Sequence, residues 1–197
     1  MERYRKPALL RGRGSLFECL QLKAEDTLLV RGGTCALGYA AIRLAKALGC
    51  KVIATTHRDA KLPLLAEVGA DKYLIDDGVL NGKISGVSKA LDLIGPRDLT
   101  DTLSVVEKGA IVCSTGILSG VYNLNGFEPI KDIPNGVYLT GFFSNYPTQE
   151  IMDDIFSFLN EHELTPLAGF VFDFENIREA VIAQESKKFN GKIVVKV

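Results

Sequence analysis

The sequence of 197 residues lacks a strong excess of either charge, since 23 Lys and Arg stand against 24 Asp and Glu for a formal net charge of −1 at pH 7. Nucleic-acid-binding domains and polybasic membrane anchors normally carry a basic excess, so the composition disfavours both. The sequence also has no apolar run of about eighteen residues, which a membrane-spanning helix needs. No apolar stretch of a secretory signal follows the charged N-terminus. We therefore expect a cytoplasmic protein.

Cysteine and histidine are scarce, with four and two residues respectively. The cysteines form no C-x-x-C pair, and neither histidine lies at a metal-ligand spacing from any of them. This pattern predicts reduced thiols and no metal site.

Short apolar segments alternate along the chain with segments of helical periodicity. The first apolar segment ends in Gly32 and Gly33, and apolar residues then recur at helical spacing from Leu37 to Leu48. This alternation predicts the α/β class: a doubly wound parallel sheet (Rossmann fold) with helices on both faces and a six-stranded core. The predicted strands cover 27–31, 52–56, 72–75, 90–94, 110–114 and 137–140, and the helices between them cover 37–48, 59–68 and 98–106.

The C-terminal part of the chain continues the alternation beyond the six-stranded core. Helix 148–161 precedes a strand over 168–172, a helix over 176–185 and a terminal strand over 192–197. We divide the chain into an irregular N-terminal lead-in over 1–13 and one domain over 14–197, whose C-terminal return segment covers about 162–197. The aperiodic stretch 116–136 is rich in Gly, Asn and Pro, and a loop of that length is usually functional or an interaction segment.

The loop between the first predicted strand and helix has the composition of a pyrophosphate site. Aligned with G-x-G-x-x-G it has Cys35 in place of the middle glycine. A helix N-terminus at this point offers unpaired N–H groups and a partial positive charge to phosphate, and small residues let the backbone approach closely. We predict dinucleotide binding, with a tight strand–helix turn of another α/β fold as the alternative. The predicted pyrophosphate residues are Gly33, Thr34, Cys35, Ala36, Leu37 and Gly38.

The residues that end the second predicted strand indicate which dinucleotide binds. An NAD site normally has Asp or Glu here to accept from the ribose 2′-hydroxyl. This chain instead has potential donors where a 2′-phosphate would lie, which favours NADP(H). A solvated helix start is the alternative for Arg58 and Lys61. The predicted adenosine residues are Thr55, Thr56, His57, Arg58 and Lys61.

Three stretches carry a resemblance to a known family: 14–34 (GSLFECLQLKAEDTLLVRGGT), 45–56 (AKALGCKVIATT) and 69–71 (GAD). Together they resemble the cofactor domain of medium-chain dehydrogenases/reductases, and the similarity is greatest to the zinc-independent quinone oxidoreductases. The ending, from 176–180 through 191–195, is similar to the last helix and strand of that family. The resemblance covers roughly 14–197.

The resemblance implies an NADP(H)-dependent oxidoreductase that transfers hydride between NADPH and a quinone or an activated alkene or carbonyl. We name no catalytic residue, because the family often relies on binding and orientation in the cleft. The resemblance places nicotinamide over the carboxyl ends of the later strands, against the loops after strands four, five and six. The residues it implies are Ile94, Gly95, Ser114, Thr115, Gly116, Phe142, Phe143 and Ser144.

Family members carry a GroES-like barrel ahead of this domain, and the barrel forms most of their substrate site. The sequence has no match to it, so we expect either a fragment or a truncated paralogue. The alternative function is a non-catalytic dinucleotide-binding module that acts through cofactor binding and dimerisation. Turnover of quinones and enones with NADPH would separate the two.

Other enzyme classes fit less well. No tyrosine begins the Tyr-x-x-x-Lys pair of short-chain dehydrogenases, and Arg31 and Thr56 stand where a methyltransferase usually has acids. By resemblance we expect a homodimer that pairs the edge strand 137–143 with its symmetry mate. This stretch is apolar, uncharged and β-prone, as edge strands that pair with another chain are.

Overall fold

A computed structural model describes residues 6–143, 148–164, 168–186 and 192–196 of the chain. Its main sheet has six strands in the spatial order β3-β2-β1-β4-β5-β6, and every adjacent pair is parallel. This arrangement confirms the predicted doubly wound Rossmann fold. The strands are β1 (Thr27–Arg31), β2 (Lys51–Thr56), β3 (Lys72–Ile75), β4 (Val87–Asp92), β5 (Val106–Ser114) and β6 (Tyr138–Gly141).

Helices lie between most successive strands, though not between β3 and β4, and they cover both faces of the sheet. They are α1 (Lys6–Arg13), α2 (Ala36–Leu48), α3 (Leu62–Glu67), α4 (Leu99–Ser104), α5 (Pro129–Asp132), α6 (Gln149–Glu161) and α7 (Ile177–Ser186). A second, two-stranded parallel sheet joins β7 (Ala168–Asp173) to β8 (Lys192–Lys196), and α7 lies between these strands in the chain.

Both faces of the main sheet are buried, each against its own apolar cluster. In β1, Leu28 and Val30 belong to one cluster, with Ile42 of α2, whereas Leu29 belongs to the other, with Val112 of β5. Alternate residues of a strand point to opposite faces, so residues 28–30 of β1 are all apolar because neither face meets water.

The N-terminal segment differs from its prediction. The sequence predicts an irregular lead-in over 1–13, but residues from Lys6 to Arg13 are helical, and a π-helical stretch, Gly14–Cys19, continues them. Leu9 and Leu10 pack against the first apolar cluster, and Arg13 forms ion pairs with Glu18 and with Asp154 of α6. These contacts stabilise a helix that local composition does not indicate. Where a domain boundary lies within the chain stays a prediction.

Two strands begin three or more residues before their predicted starts. β4 begins at Val87, three residues before its predicted start, and β5 begins at Val106 rather than at residue 110. The pairing register between them shifts between Val87 and Lys89, and Gly109 adopts φ +90° within the extra length of β5. A bulge of this kind breaks the apolar alternation that marks a strand in the sequence.

Candidate functional site

The loop after β1 is fastened to the neighbouring strand β2 by its two glycines. The N–H of Gly32 donates to Oγ1 of Thr55 at 3.1 Å, and the N–H of Gly33 donates to the Thr55 carbonyl at 2.8 Å. Gly32 adopts φ +85°, a conformation that favours glycine. A Cβ at Gly38 would collide with the Gly33 carbonyl, so the first turn of α2 packs directly on the loop.

Helix α2 begins at the end of this loop, and its first residue, Ala36, lines the cleft described below. Cys35 is the N-cap, and its Sγ accepts from the N–H of Gly38 at 3.3 Å. Burial raises the pKa of the Cys35 thiol, so at pH 7 it is neutral and adds no negative charge to the helix N-terminus. Cys35, which replaces the middle glycine of G-x-G-x-x-G, therefore caps helix α2 with its thiol.

A cleft of about 570 Å³ opens at the carboxyl ends of the strands, beside this loop. Its volume is within the usual range for small-molecule sites. The predicted residues that line it are Thr34, Cys35, Ala36, Thr55, Thr56, His57, Arg58, Lys61 and Ile94. The lining residues that the sequence reasoning missed are Gly32, Asp76, Arg97, Leu118, Ser119, Ala183, Gln184 and Ile193.

Some of the missed residues had a usable signal in the sequence. Asp76 directly follows β3, and Arg97 lies in the loop after β4, so both stand at the carboxyl ends of strands, where ligands bind in such sheets. Ala183 and Gln184 belong to α7, and Ile193 belongs to β8. Nothing local in the sequence brings these last three to the cleft.

The remaining predicted residues that the structure describes lie outside the cleft lining. Gly33 and Gly38 form the loop itself, and Leu37 packs against the first apolar cluster. Ser114, Thr115 and Gly116 follow or end β5, where Oγ1 of Thr115 donates to the Phe142 carbonyl at 2.8 Å. The N–H of Gly95 donates to Asp92, the Phe142 ring lies against Gly14, and Phe143 is 87% exposed. Ser144 lies outside the described residues.

Cationic side chains gather at one end of the cleft. Arg58 Nε donates to His57 Nε2 at 3.1 Å. Burial and the charges of Arg58, Lys61 and Arg97 lower the pKa of His57. Burial and the charge of Arg58 also lower the pKa of Lys61. Within 6–143, 148–164, 168–186 and 192–196, no carboxylate forms an ion pair with Arg58 or Lys61, so their charge is available to an anion.

Beneath the cleft lies a buried ionic cluster centred on Arg31, the last residue of β1. Arg31 is 0% exposed and binds Asp76 in a fork, with Nε 2.8 Å from Oδ2 and Nη2 3.0 Å from Oδ1. Its Nη1 lies 2.8 Å from Oδ2 of Asp101 and donates to Oγ1 of Thr102 at 3.0 Å. Burial alone would lower the pKa of Arg31, but Asp76, Asp101 and Asp92 together hold it above its ordinary value.

The fork also controls the charge of Asp76, the one acid among the described residues that line the cleft. Burial alone would raise the pKa of Asp76, but the hydrogen bonds and charge of Arg31 hold it below its usual value. Asp76 is therefore ionised at pH 7, and both its oxygens bind Arg31. This pairing offsets its charge, so Asp76 is a weaker source of repulsion for a phosphate than a free carboxylate.

Asp92, at the end of β4, connects the loops after β4 and β5. Its side chain accepts from the N–H of Gly95 at 2.7 Å and from Thr102 at 2.6 Å. Its main-chain carbonyl accepts from the N–H groups of Thr115 and Gly116. Burial raises the pKa of Asp92 above its ordinary value. The family resemblance implies that both loops lie near the nicotinamide, but the sequence does not identify Asp92 as the residue that joins them.

Comparison with known proteins identifies the family to which the chain belongs. Residues 36–161, the larger part of the chain, match the family described as zinc-binding dehydrogenases. The chain belongs to that family. The match confirms the resemblance to the cofactor domain of medium-chain dehydrogenases/reductases.

Relatives within the family are longer than this chain. Acryloyl-coenzyme A reductase of Sulfurisphaera tokodaii is 27% identical over 180 residues, which are 89% of this chain and 52% of the relative. An alcohol dehydrogenase of Geobacillus stearothermophilus is 29% identical over 167 residues, which are 81% and 47% of the two chains. The chain thus spans about half the length of these curated relatives.

Solved structures share the fold. The quinone oxidoreductase of Thermus thermophilus, solved alone and with NADPH, has a TM-score of 0.77 at 22% identity, covering 98% of this chain and 64% of that one. Bacillus subtilis yhfP, solved with NAD bound, has a TM-score of 0.79 at 21% identity, covering 96% of this chain and 60% of that one. At such identities the likeness establishes the fold alone.

The family's description raises the question of zinc. Across the described parts of the chain, no group of three or more His, Cys, Asp or Glu is placed to hold a metal ion. The described residues therefore do not fit a zinc centre, and we assign no step to a metal.

In the same residues, no helix has the length and apolar character needed to cross a membrane.

Proposed function

We propose that this chain is the NADP(H)-binding domain of a quinone-oxidoreductase-like enzyme. Its substrate would be a quinone or an activated alkene or carbonyl. The observation that carries the proposal is the cleft at the switch point between β1 and β4, where the N-terminus of α2 and the cations after β2 line one cavity. Ligands bind at this point in doubly wound sheets.

The residues present suit a dinucleotide phosphate. The loop from Gly33 to Gly38 and the first turn of α2 would hold the pyrophosphate, because Thr34, Cys35 and Ala36 line the cleft where this helix begins. Arg58 and Lys61 would bind the 2′-phosphate. The loops that Asp92 joins would hold the nicotinamide end at Ile94, Gly95 and residues 114–116. When bound, the cofactor supplies the hydride, and the protein orients it.

The comparisons support the reaction class. The relatives include a protein named acryloyl-coenzyme A reductase and a putative quinone oxidoreductase of Bacillus subtilis. The first of these names describes the reduction of an activated alkene. The Thermus thermophilus quinone oxidoreductase was solved with NADPH. Reduction of such acceptors by this chain, and a cytoplasmic location, are parts of the proposal.

We expect NADPH to bind at least about tenfold more tightly than NADH, because one charge-assisted contact contributes roughly 1.5–3 kcal/mol. Arg58→Ala should remove most of this preference and leave the NADH affinity nearly unchanged. Calorimetric titration of both cofactors measures it. Lys131→Ala, an exposed cation on α5, is the matched control and should keep the wild-type preference. Equal affinities in the wild type would contradict the proposed site.

We also propose that the chain forms a homodimer through the β6 edge. In the described residues β6 pairs only with β5, and Tyr138 is 63% exposed on it. An unpaired edge of this kind favours pairing with a second copy. Leu139 packs against the second apolar cluster, so a charge there would test folding rather than the edge.

Sedimentation should therefore show a dimer for the wild type and a monomer for Tyr138→Lys, with unchanged circular dichroism. Val79→Lys places the same charge on another exposed apolar residue, between β3 and β4, and should remain dimeric. A monomeric wild type, or a dimeric Tyr138→Lys, would exclude the edge as the interface.

A further inference from the structure

His57 lies among cations that approach it from two sides of the cleft. Arg58 and Lys61 follow it in its own segment after β2, and Arg97 faces it from the loop after β4. Its Nε2 accepts the Arg58 Nε–H at 3.1 Å, which requires a neutral imidazole. Asp76, from the segment after β3, is the acid that faces it, and Arg31 holds both oxygens of that acid.

We propose that His57 takes up a proton when a 2′-phosphate binds, so that the preference of this site for NADPH over NADH increases as the pH falls. The inference rests on the proposed NADP(H) function. It adds a specificity-determining residue and couples cofactor choice to pH.

The electrostatics give the direction of the coupling. In the free protein, partial desolvation and three neighbouring cations disfavour the imidazolium of this exposed side chain, and the pKa of His57 lies below its ordinary value. A phosphate monoester carries a charge of about −1.5 to −2 at pH 7. Placed among Arg58, Lys61 and Arg97, it offsets the cations that disfavour protonation. An imidazolium can then donate from both ring nitrogens, whereas a neutral ring donates from only one.

The direction of the pH dependence follows from the linkage between proton uptake and phosphate binding. Binding raises the His57 pKa, so the added affinity is fully present below the free-state pKa and is lost as the pH rises through the bound-state pKa. One linked proton changes affinity by at most about tenfold per pH unit. We expect the preference for the 2′-phosphate to rise about three- to tenfold from pH 8 to pH 6.5.

The test uses adenosine 2′,5′-bisphosphate and adenosine 5′-monophosphate as probes with the full chain. Calorimetry in two buffers of different ionisation enthalpy gives the number of protons taken up with each probe. The wild type should take up more protons with the bisphosphate than His57→Gln does. His162→Gln alters the chain's other histidine, at the end of α6 and outside the cleft lining, and should match the wild type.

The comparison between variants isolates the imidazole. The 2′-phosphate itself titrates near pH 6, but it does so in every variant. Proton uptake that is equal in wild type and His57→Gln, with the bisphosphate still preferred over the monophosphate, would overturn this inference and leave the proposed function standing. Failure of the wild type to prefer the bisphosphate at any pH would overturn the NADP(H) assignment.

Discussion

We expect Arg31→Ala to lower the free energy of unfolding by about 3–5 kcal/mol, because removing one partner of a buried ion pair leaves the other charge uncompensated. Arg31 is wholly buried and contacts Asp76, Asp101 and Thr102, which come from two separate points in the chain, the end of β3 and helix α4. The substitution leaves Asp76 without the fork that balances its charge. Urea denaturation at pH 7, followed by circular dichroism, measures the change.

Two further measurements show whether the loss of stability is specific to this buried ion pair or follows from breaking any ion pair. Lys83→Ala breaks an exposed pair with Asp77 and should change stability by less than about 1 kcal/mol. The folded-state pKa of Asp76 is lowered, so its contribution is present at pH 7 and is lost as the pH falls below about 4. The difference between wild type and Arg31→Ala should therefore shrink in acid. A difference that is small at pH 7 would show that the cluster adds little stability.

This cluster shows where prediction from the sequence stops. β1 and β3 have their predicted bounds, because each is a short apolar run and a glycine ends the first. The ion-pair partner of Arg31, in contrast, cannot be predicted from local sequence. Asp76 is 45 residues away in the chain and reaches Arg31 only because β2 and β3 pair beside β1. Periodicity places a residue on a strand, but partner choice between charges depends on the strand order.

The candidate site divides in the same way. The proposed phosphate end draws on two short contiguous segments, which is why the sequence alone suggests it: 33–38 cover the loop and the first residues of α2, and 55–61 cover the end of β2 and the turn before α3. Arg97, Gln184 and Ile193 complete the cleft from three other elements, and no short motif contains them. The N-terminal helix α1 was missed for a related reason, since its stability comes from packing on the apolar cluster rather than from its own sequence.

The second large effect is expected at the phosphate end, where Ala36→Asp should abolish nucleotide binding without unfolding the chain. Ala36 is the first residue of α2 and lines the cleft. A carboxylate is favourable for the helix itself, because it complements the positive N-terminus. It occupies the region where the pyrophosphate would bind, and two like charges about 4 Å apart near a protein surface repel by up to about 4 kcal/mol. We expect affinity for NADPH and NADH to fall alike, by at least about thirtyfold.

The matched control is Ala36→Asn, which has nearly the same size as Asp but no charge. If repulsion is the cause, Ala36→Asn retains most of the affinity while Ala36→Asp loses it, and the circular dichroism spectra of both match the wild type. Equal loss in both variants would show that the cleft has no room beside Ala36, and the steric effect would then say nothing about charge. Loss of the folded spectrum in Ala36→Asp would show that the loop is structural and would contradict its assignment to the pyrophosphate. Because helix stability and phosphate binding respond to this carboxylate with opposite signs, one substitution separates the two roles of the loop.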